Sequence, residues 1–342
     1  MDYRTAAKEL GKGNVQPVYL CYGQESFLIN EFLSFAIEQL IEPEHRDFAV
    51  SKYDLSETPV EAVIEDAETI PFMVPRKLVI AHGAGFFSAG KDDSKVEHRL
   101  ERLMEYLQSP VDYTVVLFTW NENKLDERKK IVKLMKDRGA VIPFPMMNAE
   151  ELTHWVTRRA EKDQISFAEG AVQELILRSG THLQSLSAEI EKLSLYAGKG
   201  GTITQDAVAR LVSRTTEQSI FMLIEEAVQR RLEQALSILH ELLKYREEPV
   251  KIVMLLARQY RLMLQIKELS GKGFSQQQIA SQLGIHPYAV KITGEQARQY
   301  DERTLTEILH QLAELDYGIK SGRTDKVLGL ELFLLRLAGL ET

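Results

Sequence analysis

One cysteine, Cys21, stands in 342 residues, and it lies inside an apolar run. A lone thiol excludes a disulfide within the chain and any metal site built from several cysteines, so Cys21 is expected as a small core residue. No stretch approaches the ~18 apolar residues that cross a bilayer. The opening MDYRTAAKELGKGNV also lacks the charged-then-apolar order of a secretory leader. The chain is therefore expected in the cytoplasm, with no membrane partner. Biased tracts and internal repeats are absent too. Nor is there a surplus of positive charge: the formal net charge is −8, with 26 basic against 33 acidic side chains in residues 1–214 and 16 against 17 in residues 215–342. A freestanding nucleic-acid binder wants a broad basic face to displace phosphate counterions, so any DNA contact must be local or shared with partners. Catalytic signatures are missing as well. There is no H-E-x-x-H, no G-x-S-x-G and no carboxylate cluster at metal-ligand spacing, and the eight histidines are scattered. No intrinsic catalytic site, metal or cofactor is expected.

What is present is an ordinary globular composition, 44% hydrophobic and 27% charged, on a chain long enough for two or three domains. Five apolar runs, Pro17 to Tyr22, Phe48 to Tyr53, Lys77 to Ala81, Tyr113 to Phe118 and Ala140 to Phe144, alternate with helical segments. That alternation predicts a parallel sheet covered on both faces. After Pro145 the strand signals stop. Helices are predicted near 149–162, 168–179, 181–196 and 204–211, with the Gly-rich AGKGG at 197–201 between two of them. From Ser213 onward longer amphipathic helices follow, near 217–230, 232–245, 249–269 and 303–321, and the chain closes with Leu328 to Leu337. Their short polar connections suit helices packed side by side in a bundle.

The first strand runs into a helix through GQESFLIN, Gly23 to Asn30. A phosphate-binding loop, GxxxxGK[ST], belongs at such a turn, where backbone amides and a lysine cradle phosphates and a hydroxyl holds magnesium. Only the first glycine is here. Leu28 replaces the glycine that permits close approach, Ile29 the lysine, and Asn30 the metal-binding hydroxyl. The third strand runs into His82 and Gly83 instead of an acidic pair that would hold magnesium. The same residues fit a degenerate nucleotide loop or a plain strand-turn-helix unit.

Thr58-Pro59-Val60-Glu61 predicts a helix start, with Thr58 as cap, Pro59 at the first helical position and Glu61 reaching back in a capping box. Val60, Val63, Ile64, Ala67 and Ile70 then fall on one face toward the sheet, with Glu61, Glu65, Asp66 and Glu68 toward water. The helix is expected to end near Ile70, because Pro71 disfavours the helical conformation in the residue before it, and Pro75 restricts the chain again. Phe72 and Met73, bracketed by these prolines, read either as an exposed knob or as residues folded back onto the helix and strand they join.

Strand order, turn, knob and helical second half together resemble the delta subunits of bacterial clamp loaders in their Gram-positive-like form. The resemblance covers essentially the whole chain through PVYLCYGQESFLINE, PFMVPRKLVIA, GTHLQSLSAEIEKLSLYAG and LDYGIKSGRTDKVLGLELFLLRL. It implies an AAA+-like α/β domain without functional Walker motifs at 1–146, a small helical lid at 147–211 and an all-α collar at 212–342. The collar would join delta-prime and gamma/tau subunits in a heteropentamer of the DNA polymerase III holoenzyme, around primer-template DNA. It further implies that apolar residues at the tip of the helix before the third strand insert into the sliding clamp, beta. Those positions are Ile70, Phe72 and Met73, within Ile70-Pro71-Phe72-Met73-Val74. The family's delta subunit lacks the Ser-Arg-Cys finger of its neighbours, and here the helix after the fourth strand is expected to open on Asn123-Lys124-Leu125.

Two other readings compete. FSQQQIASQLGIHPYAVKITGEQAR at 274–298 resembles a helix-turn-helix, as in a DNA-binding regulator, but between Ser275 and Lys291 the only Lys or Arg is Lys291. Phosphate anchoring would then be feeble, and the segment equally fits two collar helices. An active nucleotide hydrolase would need a lysine or acidic residue from elsewhere in the sheet, and none stands at the expected turns.

Overall fold

The computed structural model describes residues 1–89 and 96–339, and the chain divides into two compact units, Met1–Met146 and Met147–Thr342. In the first unit the elements run α1 (Tyr3–Gly11), β1 (Val18–Tyr22), α2 (Ser26–Leu40), α3 (Arg46–Ala49), β2 (Val50–Asp54) and α4 (Val60–Glu68). They continue with β3 (Lys77–His82), α5 (Leu100–Gln108), β4 (Thr114–Trp120), α6 (Lys130–Arg138) and β5 (Ala140–Pro143). The five strands form one parallel sheet in the order β2-β3-β4-β1-β5. This is the parallel α/β sheet, covered by helices on both faces, that the apolar runs predicted.

The side-chain period of two explains how the sheet is covered. Val18, Leu20, Val79, Ala81, Val116 and Phe118 face one way, into a core completed by Val60, Val63, Ile64 and Ala67 of α4, Leu103 and Leu107 of α5, and Ile131, Val132 and Met135 of α6. Between them, Tyr19 and Cys21 face the other way. There Tyr19 stacks edge-on against Phe32 of α2, ring centroids 6.0 Å apart, and Phe144 fits between Phe32 and Tyr3. The edge strand β2 is only half-buried and carries Ser51, Lys52 and Asp54, the polar character that blunts an open edge. It begins at Val50, so Phe48 belongs to α3 and lies exposed against His45.

Three expectations for α4 need correction. The helix begins at Val60, with Pro59 extended at the N-cap and no capping box. The Val60 amide donates to His98 Nδ1 at 3.2 Å instead, so a group from a later segment supplies the acceptor. The helix ends at Glu68, and Ile70 lies beyond it, exposed, not on the sheet-facing side. Asp66 is not solvated either: it is half-buried and paired with Lys77. The Asn123-Lys124-Leu125 segment is likewise a loop, since α6 opens only at Lys130.

The second unit contains α7 (Ala149–Lys162), β6 (Ser166–Phe167), α8 (Ala171–Ser179), α9 (Leu183–Ala197), β7 (Thr202–Ile203) and α10 (Gln205–Leu211). Then come α11 (Thr216–Val228), α12 (Leu232–Lys244), α13 (Pro249–Gly271), α14 (Gln276–Leu283), α15 (Pro287–Ala297), α16 (Glu302–Lys320) and α17 (Lys326–Gly339). Strand structure does not stop at Pro145: β6 and β7 form a two-residue parallel ladder, closed by Gly200 N–H to Gln164 O at 2.8 Å. Sharp helix starts follow from capping boxes, Asn148 with Glu151 on α7 and Ser275 with Gln278 on α14. Residues of α11, α12, α13, α16 and α17 share one core around Leu256, Tyr260, Ile308, Leu330 and Leu334. The Tyr260 hydroxyl, buried there, meets the Tyr300 hydroxyl at 3.3 Å. Among the described residues no helix is long and apolar enough to cross a membrane.

Candidate functional site

Two features of the first unit carry the functional question: the turn after β1, and the connection between α4 and β3.

At the turn, Gly23 adopts φ +142°, which L side chains rarely accept, and a Cβ there would lie 2.0 Å from the Phe144 carbonyl oxygen. Glycine is required because the chain leaving β5 passes directly against it. The turn is stitched to its surroundings: Gly23 N–H donates to Trp120 O at 2.9 Å, Glu25 N–H to Phe144 O at 3.1 Å, and Phe144 N–H back to Tyr22 O at 2.7 Å. Amides that would point at a phosphate in a nucleotide loop are thus spent on carbonyls. Leu28 and Ile29 are buried in the core side of α2, while Asn30 is exposed, so the three altered positions do not converge on a common ligand.

Two polar residues at the turn gave no signal in the sequence. Glu25, at the N-cap of α2, is buried, and that burial pushes its carboxyl up to about 7. When ionised it would repel a phosphate at this place. The exposed Gln24 side chain accepts from Asn123 Nδ2 at 2.9 Å, which ties the loop after β4 to the turn. At the end of β3, His82 Nδ1 lies 3.0 Å from Thr119 Oγ1, and desolvation with the nearby Lys52 charge lowers its pKa. Among the described residues no cluster of His, Cys, Asp or Glu has metal-binding geometry.

The α4–β3 connection is the opposite case, with apolar groups held out in water. Ile70, Phe72 and Met73 are 77%, 77% and 79% exposed, Pro71 and Val74 are half-buried, and Pro75 is exposed. Of the two readings of this segment, the exposed knob describes it. Met73 sits at φ +58°, a left-handed conformation unusual for a residue with a long side chain. Such strain persists only where the flanking structure over-determines the backbone.

That flanking structure is a set of donors at the foot of the tip. A helix leaves its last carbonyls without intrahelical partners. Here Lys77 Nζ donates to Asp66 O, Thr114 Oγ1 to Ala67 O at 2.7 Å, and Tyr113 OH to Glu68 O at 2.8 Å. Lys77 also reaches the Asp66 carboxylate at 2.9 Å although it is only 6% exposed. Burial pushes the Asp66 carboxyl up, yet bonds from Lys77, Ser51 and Tyr53 and the Lys77 charge outweigh it and hold the group below its ordinary value. The signal in the sequence was a lone ammonium leading an apolar strand, since a buried charge demands a partner.

The helix-turn-helix candidate resolves into α14 and α15, but the second helix is not a free reading surface. Its Val290 and Ala297 are buried, and its buried Thr293 and Gln296 meet Gln259 Nε2 of α13, Gln296 at 3.1 Å. Gln296 also donates to Phe221 O on α11 at 3.2 Å.

Comparison with known proteins adds the relatives. The family model for the DNA polymerase III delta subunit matches residues 19–144, and the model for the C-terminal domain of the same family matches residues 217–337. The chain is similar to DNA polymerase III subunit delta of Bacillus subtilis strain 168, at 42% identity over 330 residues, covering 96% of this chain and 95% of the relative. A more distant relative is the probable DNA polymerase III subunit delta of Aquifex aeolicus, at 22% identity over 270 residues, covering 78% and 75%. Among solved structures, the Bacillus subtilis DNA clamp loader delta protein superimposes with a TM-score of 0.82 at 41% identity, over 98% of this chain and 99% of that one.

Proposed function

Because this chain belongs to the DNA polymerase III delta-subunit family, and so is part of a clamp loader, we propose that it grips the sliding clamp, beta, through Ile70-Pro71-Phe72-Met73-Val74 and favours the opened ring. The observation that carries the reading is the tip itself: three large apolar side chains left in water on a proline-bracketed turn. Exposed aromatic and methionine side chains on a rigid support are the usual anchors of a protein interface. A protein that binds the open or distorted ring more tightly than the closed one shifts the ring toward opening, by no more than that difference in affinity.

The turn at Gly23 suits a protein that neither binds nor hydrolyses ATP, with ATP in neighbouring subunits deciding when the tip is presented. Residues 147–211 act as lid. Residues 212–342 act as the collar that joins delta-prime and gamma/tau, and primer-template DNA is held by the assembled loader in the cytoplasm. The experiment is a titration of purified clamp with the wild-type chain and with Phe72→Ala/Met73→Ala. Equal affinities would remove the tip from the interface.

A further inference from the structure

We propose that Lys77, Thr114 and Tyr113 are positioning residues for clamp capture, locking the foot of the tip so that Phe72 and Met73 are presented already ordered. The inference rests on the reading of the tip as the clamp contact and adds residues that do not touch the clamp at all.

The donors come from the rim of the sheet where β3 and β4 begin. Lys77 and Thr114 are the first residues of β3 and β4 and are paired in the sheet register, and Lys77 N–H donates to Tyr113 O at 2.9 Å. They therefore stand side by side on two paired central strands. Their side chains take the last three carbonyls of α4 in sequence, Asp66, Ala67 and Glu68. A fourth, Glu65 O, is taken by Thr69 Oγ1 at 2.9 Å, and Asp66 O also accepts the Thr69 N–H at 2.9 Å, so each of these carbonyls has a side-chain donor. Asp66 and Lys77 are also the two ends of the tip-bearing segment 67–76, and their ion pair closes that segment at its neck. A cation at a helix C-terminus is favoured by the macrodipole, which strengthens the closure further.

The exposed segment itself makes no comparable contacts, so its conformation is set from below. The left-handed Met73 backbone is the sign of this: an unsupported chain would relax it. Ordering a loop on binding opposes association, and pre-ordering removes that opposition without adding a contact. Loss of the neck bonds should therefore weaken clamp binding with the apolar anchors untouched.

The test uses the full chain with Thr114→Val and Tyr113→Phe, separately and together. Each removes a hydroxyl and little else. Clamp affinity is measured by titration, and amide hydrogen exchange compares residues 68–76 with residues 78–81 and 116–119 of the sheet. The expected result is about tenfold weaker binding by the double variant, with faster exchange confined to 68–76. Thr114→Ser, which keeps the hydroxyl, should show neither change that the single Thr114→Val variant shows. Unchanged affinity of the double variant overturns the proposal. So does weaker binding accompanied by equally faster exchange in the sheet, or a Thr114→Ser variant that binds as weakly as Thr114→Val. Phe72→Ala/Met73→Ala is run in parallel. If it weakens binding while the neck variants do not, only this inference falls; if it too leaves affinity unchanged, the tip reading falls with it.

Discussion

Gly23 and Phe144 are packed backbone against backbone, so that any side chain at residue 23 would collide with the Phe144 carbonyl. The contact turns the segment after β1 from a ligand-binding loop into a structural joint. Gly23→Ala should therefore destabilise the chain by ~2–5 kcal/mol, combining left-handed strain with overpacking against backbone. Chemical denaturation measures it. The same joint predicts that the isolated wild-type chain shows no saturable ATP binding in equilibrium dialysis. Magnesium-dependent binding lost in Gly23→Ala would overturn that expectation.

At the tip, truncating central anchors typically costs ~2–4 kcal/mol, so Phe72→Ala/Met73→Ala should weaken clamp binding roughly 30-fold to 1,000-fold. The melting temperature should hardly move, because neither side chain belongs to the core. Loss of affinity explained by unfolding of the variant would mean that the tip is core after all.

Glu25 gives a pH signature. Its folded pKa of about 7 lies above the ordinary 4.5, so between these values the folded chain holds more protons than the unfolded one. Stability should fall as pH rises through this window and level off above it. Glu25→Gln cannot ionise. It should melt higher than wild type at about pH 8, with the gap closing toward about pH 5. A gap that is constant with pH would clear the carboxyl of this role.

A separable grip and assembly is the fourth expectation. Met1–Met146 is a compact unit with its own core, and the collar is proposed to lie in residues 212–342. A 1–146 fragment should bind the clamp while failing to co-purify with delta-prime and gamma/tau. Co-purification as efficient as that of the full chain would displace the assembly role from the collar.

Much of this was legible in the residues because the information was local. The runs around Leu20, Ile80 and Leu117 marked strands to within a few residues, and Pro71 and Pro75 marked the place where Phe72 and Met73 leave the core. What escaped was non-local or too short. The β6–β7 ladder spans two residues per strand, below the length at which alternation can be read. The start of α4 was misplaced because its amide is satisfied by His98, far along the chain. Asp66 sits on the helix where a wheel points it to water, and only the approach of β3 brings Lys77 to it. Glu25 looked like any acidic residue near a helix start until Phe144 closed over the turn.

Because all five strands run the same way, the Gly23 turn and the Lys77–Thr114 neck occupy opposite rims of one sheet, joined by strands of about five residues, or about 17 Å. Each rim draws on its own hydrogen bonds: Trp120 and Phe144 carbonyls on one, the α4 carbonyls on the other. Substitutions are thereby insulated from one another. A change that loosens the Gly23 turn should therefore leave the Lys77–Thr114 neck as it is, and loss of a neck hydroxyl should leave the turn closed against Phe144.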